Sequence, residues 1–347
     1  MKPMTRPAPA ELGFRMPAEW APHRATWISW PHNPETWPGT LAAAETAMAQ
    51  AVTALASGEM VRINVLGPEH EAHVRARLGA VAETPAVAFH HFPTNDAWCR
   101  DHGAIFVQDD AGQLAAVDCG FNAWGGKYPP WDLDDAIPAR MAAALGLQRF
   151  EGGMILEGGS IDVNGAGTVL TTEQCLLNDN RNPALSRADI EARLGLLLGV
   201  HQVLWLGDGI VGDDTDGHID DITRFVAEDV VVTVVEADRS DPNHAPLAEN
   251  LALLRDMKLS DGRPLEIIEL PMPAPVELDG ARLPASYGNF YIGNEVVLLP
   301  VFDQPTDLVA ERILAPCFPG RRIVPIRANE LVIGLGAFHC LTQQVPR

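Results

Sequence analysis

Basic residues are scarce in this chain. Its 25 lysines and arginines stand against 46 aspartates and glutamates, for a formal charge of −21. Binding phosphate backbones requires a basic face, so nucleic acid is the first partner class to drop out. Long apolar runs are missing too. No stretch approaches the roughly 20 residues that span a bilayer, and no membrane role is expected. Residues 1–12 carry Lys2 and Arg6 but no apolar segment of a secretory leader. Cysteines number five, an odd count at irregular spacing and without a CxxC pair. That pattern argues against a disulfide framework or a zinc ribbon, and for a reduced, cytoplasmic chain. What is present is a hydrophobic fraction of 47% and a charged fraction of 20%, the proportions of a compact soluble protein. The acid excess would attract a cationic ligand from a distance.

One coarse unit recurs: two short apolar strands, a helix, then another strand. Ala104–Gln108 and Leu114–Asp118 flank Asp109-Asp110-Ala111-Gly112, a hairpin signal, and lead to a helix near Asp132–Leu145 and a strand near Gln148. Ser160–Val163 and Thr168–Thr171 precede a helix over Ser186–Leu198, capped by Ser186 with Asp189 three positions on, and a strand Gln202–Leu206. A third unit runs through strands Ile219–Val226 and Val230–Val235, a helix after Pro242, and Leu265–Leu270. The fourth has Ser286–Ile292, Val296–Pro300, a helix Thr306–Leu314 and Arg322–Ile326. The hairpin centres recur at intervals of about 56 to 65 residues, which counts as internal repetition.

The remaining pieces supply a fifth unit shared by the two ends. A strand Glu330–Ile333 and the terminal segment join Ala25–Trp30, a helix Thr36–Ala56 and Val61–Leu66, with an extra helix Pro68–Leu78. Such sharing closes a ring and carries Cys340 toward the middle of the molecule. With no low-complexity linker, residues 1–347 read as one domain.

Polar residues then fall at the entrance to each unit. Trp98-Cys99-Arg100-Asp101, Glu157-Gly158-Gly159, Asp213 to Asp221, and Asn289 share one rim if the units circle an axis. His218 and Asp220, two apart, project to one side of an extended strand. Histidine is a candidate general acid/base, although five acids within nine positions also suit a metal. Asp101 can grip a guanidinium through charge-assisted hydrogen bonds, Trp98 can offer an indole face to a cation, and Asp96 adds a second acid. Asn122-Ala123-Trp124-Gly125-Gly126-Lys127 reads as a loop lining the site. Cys99, Cys119, Cys175 and Cys317 read as structural thiols. Cys340 stands in Gly334-Leu335-Gly336-Ala337-Phe338-His339-Cys340, a glycine-rich approach to histidine and thiol close to the chain end. Together these residues point to a cysteine-dependent enzyme acting on a guanidinium cation.

Several segments resemble the agmatine deiminases, in a family that also includes bacterial peptidylarginine deiminases. They are Met16-Pro17-Ala18-Glu19-Trp20, Asn95 to Gly103, Leu156 to Ser160, and Thr171 to Pro183. Further matches are Thr215 to Asp220, Ser286 to Tyr291, and His339-Cys340-Leu341-Thr342-Gln343-Gln344. The resemblance implies an α/β fold of the guanidine-modifying pentein superfamily, a five-bladed pseudo-symmetric propeller. It implies Cys340 as nucleophile, His218 as general acid/base and Glu157 as the acid orienting His218. Asp101 and Asp220 would hold the guanidinium, and Trp98 would line the substrate's alkyl chain; Asp96, near Trp98, and Asn289, on the shared rim, are added as candidate substrate-binding residues. The implied reaction converts agmatine to N-carbamoylputrescine and ammonia, on the way to putrescine and other polyamines, with no metal and no cofactor.

The chain departs from the usual family pattern in three places. Leu335 and Ala337 replace a glycine and an asparagine before the cysteine, and Asp162 stands where a histidine is common. These bear on the substrate's distal end, with a peptidylarginine or another guanidino compound as the alternative. Two further readings are a metal-dependent guanidine hydrolase releasing urea, suggested by the acids around His218, and a non-catalytic polyamine-binding protein. A homodimer is compatible with the sequence.

Overall fold

The computed structural model describes residues 3–347; Met1 and Lys2, part of the stretch read above as lacking a leader, lie outside them. The chain is α/β, and one connection pattern recurs in five sheets. Ile105–Gln108 runs antiparallel to Leu114–Gly120, which pairs in parallel with Gln148–Ile155. Asp162–Val163, Thr168–Thr172 and Gln202–Leu206 repeat that order. So do Thr223–Ala227, Val230–Val235 and Glu266–Pro271, and then Tyr291–Ile292, Val296–Val301 and Arg322–Arg327.

The fifth sheet joins both chain ends. Thr342–Pro346 lies antiparallel to His23–Ser29, which continues in parallel to Met60–Asn64 and Val87–His90. The parallel crossovers are made by helices, as parallel strands require: Leu41–Leu55, Ile137–Leu145, Arg187–Leu198, His244–Asp256 and Pro305–Leu314. Leu41–Leu55 shows the packing logic. Ala44, Met48, Ala51, Val52 and Leu55 recur at three- and four-residue steps and are buried, an apolar stripe facing its sheet. The cap of Arg187–Leu198 is as expected: Ser186 accepts from the Asp189 backbone N–H, and Asp189 accepts from that of Ser186.

Several expected elements differ: the helix expected over Thr36–Ala56 begins only at Leu41, and Ser160 of the expected Ser160–Val163 strand lies in a 3₁₀ turn. Ile219–Asp221 is a 3₁₀ turn, and the strand starts only at Thr223, so His218 and Asp220 do not share the face of a strand. Only Tyr291–Ile292 of the expected Ser286–Ile292 strand pairs. Val332–Gly334 is a 3₁₀ turn rather than a strand, and the terminal strand lies ten residues later at Thr342–Pro346. The helix expected over Asp132–Leu145 is two, Asp132–Asp135 and Ile137–Leu145, because Pro138 cannot donate to a turn before it. The strand Val87–His90 was not foreseen. Among the described residues no helix is long and apolar enough to cross a membrane.

Candidate active site

Cys340 sits in a single helical turn, Phe338–Leu341, that runs straight into the terminal strand. Asn289 Nδ2 donates to its Sγ at 3.0 Å, and Asp220 Oδ2 lies 3.6 Å from the sulfur. Asn289 Oδ1 in turn accepts the backbone N–H of His339 at 3.0 Å, so one amide fixes both the turn and the thiol. Gly336 makes room beside them. A Cβ there would fall 2.6 Å from the Trp98 ring and 3.2 Å from Cys340 Sγ.

Asp101 arrives from the turn Cys99–His102, and His218 and Asp220 from the 3₁₀ turn that opens the third sheet. They meet around Gly159, where an added Cβ would stand 2.6 Å from His218 Nδ1, 2.7 Å from Asp101 Oδ1 and 3.1 Å from Asp220 Oδ2. Only a residue without a side chain leaves that space open. The Gly159 N–H donates to Asp101 Oδ1 at 2.9 Å, and Trp124 Nε1 donates to Asp101 Oδ2 at 3.0 Å. Asp220 Oδ1 is buried without a hydrogen-bond partner, as are both ring nitrogens of His218. Unpaired polar atoms in a buried site are costly, and His218 Nδ1 borders the space beside Gly159 where a polar substrate would complete it.

The electrostatics are those of a crowded anionic pocket. Burial pushes the Asp101 carboxyl up; His218 opposes this, and Asp220 and Glu157 add to it. Burial alone would lower His218, but Asp101, Cys175 and Asp220 more than offset it and hold the imidazolium well above its usual range. Burial, with Asp220, Asp221 and Asp101 nearby, pushes the Cys340 thiol well up. This field favours the neutral form of the Cys340 thiol and the protonated form of His218.

Glu157 lies behind His218. Its Oε1 accepts from Arg181 Nε at 2.7 Å, and Oε2 is buried without a partner. Cys175, read from the sequence as a structural thiol, stands with them: one atom each of Glu157, Cys175 and His218 lie within 4.8 Å of one another. Oxygen, sulfur and nitrogen donors can ligate a metal, but the Arg181 guanidinium already bonds Glu157.

A cavity of about 790 Å³ opens onto this cluster. Cys340 and Asp101 lie on its wall with Trp98, Trp124 and Leu335, and Asp96 also borders it. The loop Asn122–Lys127 does line the cavity, through Ala123, Trp124 and Lys127. Asp96 is engaged by Thr36 Oγ1 at 2.5 Å. Asn289 does not border the cavity; it works from behind, on Cys340 and on Asp221 Oδ1 at 3.0 Å. Thus Cys340, Asp101, Asp220, His218 and Glu157 come together from segments more than 200 residues apart.

Sequence reasoning gave no role to Glu19, His339, Arg100 or Arg224. Glu19 Oε2 lies 3.1 Å from Arg100 Nη2 and 2.8 Å from His339 Nε2, and Glu19 Oε1 lies 3.0 Å from Arg224 Nη2. The available signal was position: Glu19 falls within the matched segment Met16–Trp20, and His339 precedes the thiol.

Comparison with known proteins places the chain in a family. The Porphyromonas-type peptidyl-arginine deiminase family matches residues 15–346. An agmatine deiminase of Stutzerimonas stutzeri is 40% identical over 361 residues, covering 97% of each chain. The structure of the agmatine deiminase of Enterococcus faecalis superposes with a TM-score of 0.92 at 33% identity, covering all of both chains. An amidinotransferase from Microseira wollei, 13% identical with a TM-score of 0.54 over 96% of this chain and 97% of that one, shares the fold alone. The fold is thus of the pentein type, and the chain belongs to the Porphyromonas-type peptidyl-arginine deiminase family.

Proposed function

We propose that the chain hydrolyses the guanidinium group of agmatine to N-carbamoylputrescine and ammonia through a covalent intermediate on Cys340. The observation carrying this reading is the convergence of a thiol, two carboxylates and an imidazole around the space that Gly159 leaves open. Asp101 and Asp220 would hold the guanidinium flat and charged, since stripping it of water costs several kcal/mol unless it is paired. The bound cation offsets the negative field that keeps the thiol protonated; the Cys340 proton passes to water as the thiolate forms and attacks the guanidinium carbon, and a proton from water restores the thiol once the C–S bond has broken. His218 donates its proton to the departing nitrogen. The C–N bond breaks, ammonia leaves, and an S-linked thiouronium remains. His218, now neutral and oriented by Glu157, takes a proton from water, which adds to the same carbon; the C–S bond breaks to release the ureido product. Every proton comes from the chain, the substrate or water, so the scheme calls for no cofactor.

Agmatine is favoured over a peptide's C-terminal arginine because Asp96, Asp134, Glu35 and Asp214 border the cavity, an acid-rich wall that suits a distal ammonium better than a carboxylate. The acids that suggested a metal-dependent hydrolase are otherwise engaged. Asp213 accepts from Thr215, Gly217 and His218 N–H groups, and Asp216 binds Arg181, Asn180 and Lys127. The recurring sheets support a five-bladed propeller forming one catalytic domain, and the free cysteines support a reduced, cytoplasmic setting.

The deciding experiment assays ammonia and ureido product with agmatine, arginine, methylated arginine and a C-terminal arginyl peptide, and seeks the adduct by mass spectrometry after acid quench. Turnover of agmatine with a mass increase on Cys340 is expected, and Cys340→Ser should abolish both while leaving the circular dichroism spectrum unchanged. Urea as the product, or full activity in Cys340→Ser, overturns the reading.

A further inference from the structure

His339 makes two contacts that a neutral histidine cannot satisfy. Its side chain is buried, Nδ1 lies 2.6 Å from Asp220 Oδ2, and Nε2 lies 2.8 Å from Glu19 Oε2. Carboxylate oxygens only accept, and a neutral imidazole carries one N–H. One short contact would then set a nitrogen lone pair against an anion in the protein interior. An imidazolium donates to both.

Glu19 cannot supply the missing proton. Burial favours its neutral form, but Arg224, His339 and Arg100 outweigh that and keep the carboxylate ionised. It also accepts the Ile292 N–H at 2.9 Å. Asp220, on the other side, lies against the Cys340 sulfur and keeps Oδ1 free of any partner. Four carboxylates crowd this region. Asp101, Asp213 and Asp221 are all pushed up by burial first, with Asp220 adding to each. Asp220 alone goes down: burial opposes its charge, and His339, then His218 and Arg224, outweigh it. The groups facing Asp220 are therefore the cations His339, His218 and Arg224 and the acids Asp101, Asp213, Asp221 and Cys340.

We propose that His339 is a positioning residue, a standing imidazolium between Glu19 and Asp220 that keeps Asp220 anionic and fixes its Oδ2 beside Cys340 Sγ and the space at Gly159 where the guanidinium would sit. Its effect on turnover rests on the deiminase reading; its charge state does not. The sign of the pH effect follows. Removing the His339 charge raises the Asp220 carboxyl, so the acid limb of kcat/KM moves to higher pH.

Two measurements test this. In the free enzyme, ¹⁵N imidazole NMR should show both His339 nitrogens protonated at pH 8, with the signal assigned by its loss in His339→Gln. In that variant kcat/KM for agmatine should fall about 10- to 100-fold, chiefly through KM, the size of a lost hydrogen bond to a charged group. The acid limb should rise with it. A neutral His339 tautomer at pH 8, or an unchanged pH profile in His339→Gln, overturns the proposal. If His339→Gln does not fold, Glu19→Gln serves instead, and a ring signal that it leaves unmoved overturns the proposal. A wild-type protein that shows the imidazolium but does not turn over agmatine removes the functional reading and leaves the charge assignment standing.

Discussion

Gly159 separates geometry from stability at the scale of one residue. Its N–H bonds Asp101, and the space beside its Cα is bounded by His218, Asp101 and Asp220. In Gly159→Ala the methyl would stand 2.6 Å from His218 Nδ1, so ring or carboxylate must shift by a sizeable fraction of an ångström. Misplacement on that scale costs about 10²-fold in rate. We expect kcat/KM to fall by about that factor while the melting temperature changes little; an unimpaired variant would show that the space is not where the substrate reacts. Asp162 offers a pH test. It is buried, with Oδ2 2.5 Å from Arg224 Nε, and burial outweighs that pairing to raise its carboxyl to about 6. The folded state then holds this proton more tightly than the unfolded chain does. Its stabilising share is complete below roughly pH 4, the unfolded value, and is lost as pH rises through about 6. Asp162→Asn does not titrate, so the melting temperature of the variant minus that of the wild type should grow between pH 5 and pH 8. A difference that shrinks over this range refutes the assignment.

Among the elements, the loop Asn122–Lys127 carries the sharpest local conflict. Ala123 and Trp124 adopt left-handed φ values of +51° and +55°, a conformation that costs a non-glycine residue about 1 to 2 kcal/mol. The Trp124 bond to Asp101 is one contact that offsets this cost. Trp124→Phe keeps the apolar wall and the backbone requirement but removes the donor. Asp101 should then rise further, because that bond lowers it, and kcat/KM should drop about 10-fold; unchanged kinetics would show that Asp101 does not depend on the indole. Legibility also differs by element. Gln202–Leu206 and Val230–Val235 match residue for residue, because β-branched and apolar runs state their strand directly. The segments bearing the site were misread for the converse reason. Ile219–Val226 reads as one strand on its Ile, Thr, Phe and Val content, yet Asp220 and Asp221 are buried at its head, and their polar partners pull the chain into a turn. The terminal strand was hidden because Thr342, Gln343 and Gln344 face inward to polar neighbours: Gln343 donates to the Ala104 carbonyl and Gln344 accepts from Arg100. Spacing and the family resemblance brought the five catalytic candidates into view. Periodicity could not show what holds them, since Glu19, Arg100, Arg224 and His339 are buried charges that leave no apolar pattern.

Across the whole molecule, the two ends of the chain carry a shared load. Thr342–Pro346 closes the sheet onto His23–Ser29 in the register Ala25 to Val345 through Ile28 to Thr342. The Arg347 N–H donates to the Pro22 carbonyl, and Gln108 Nε2 donates to that of Arg347. The nucleophile stands two residues before this strand, so the pairing that ends the fold also fixes the thiol among acids delivered by other sheets. A chain ending at Leu341 would retain Cys340 and every proposed catalytic side chain. It would lose the ladder along His23–Ser29, the Gln344 partner of Arg100, and Val345, which is fully buried. Each lost hydrogen bond costs on the order of 1 kcal/mol, and burial of Val345 adds about 2 kcal/mol. Against a margin on the order of 5–15 kcal/mol for a typical domain, the sum is enough to unfold the protein or bring it close to unfolding. The truncated chain should therefore show a broadened or absent thermal transition and elute as aggregate in size-exclusion chromatography, instead of being a folded protein with weak activity. A sharp transition near the full-length melting temperature would mean that the first strand keeps its place without the last, and that the ends meet for the sake of the thiol alone.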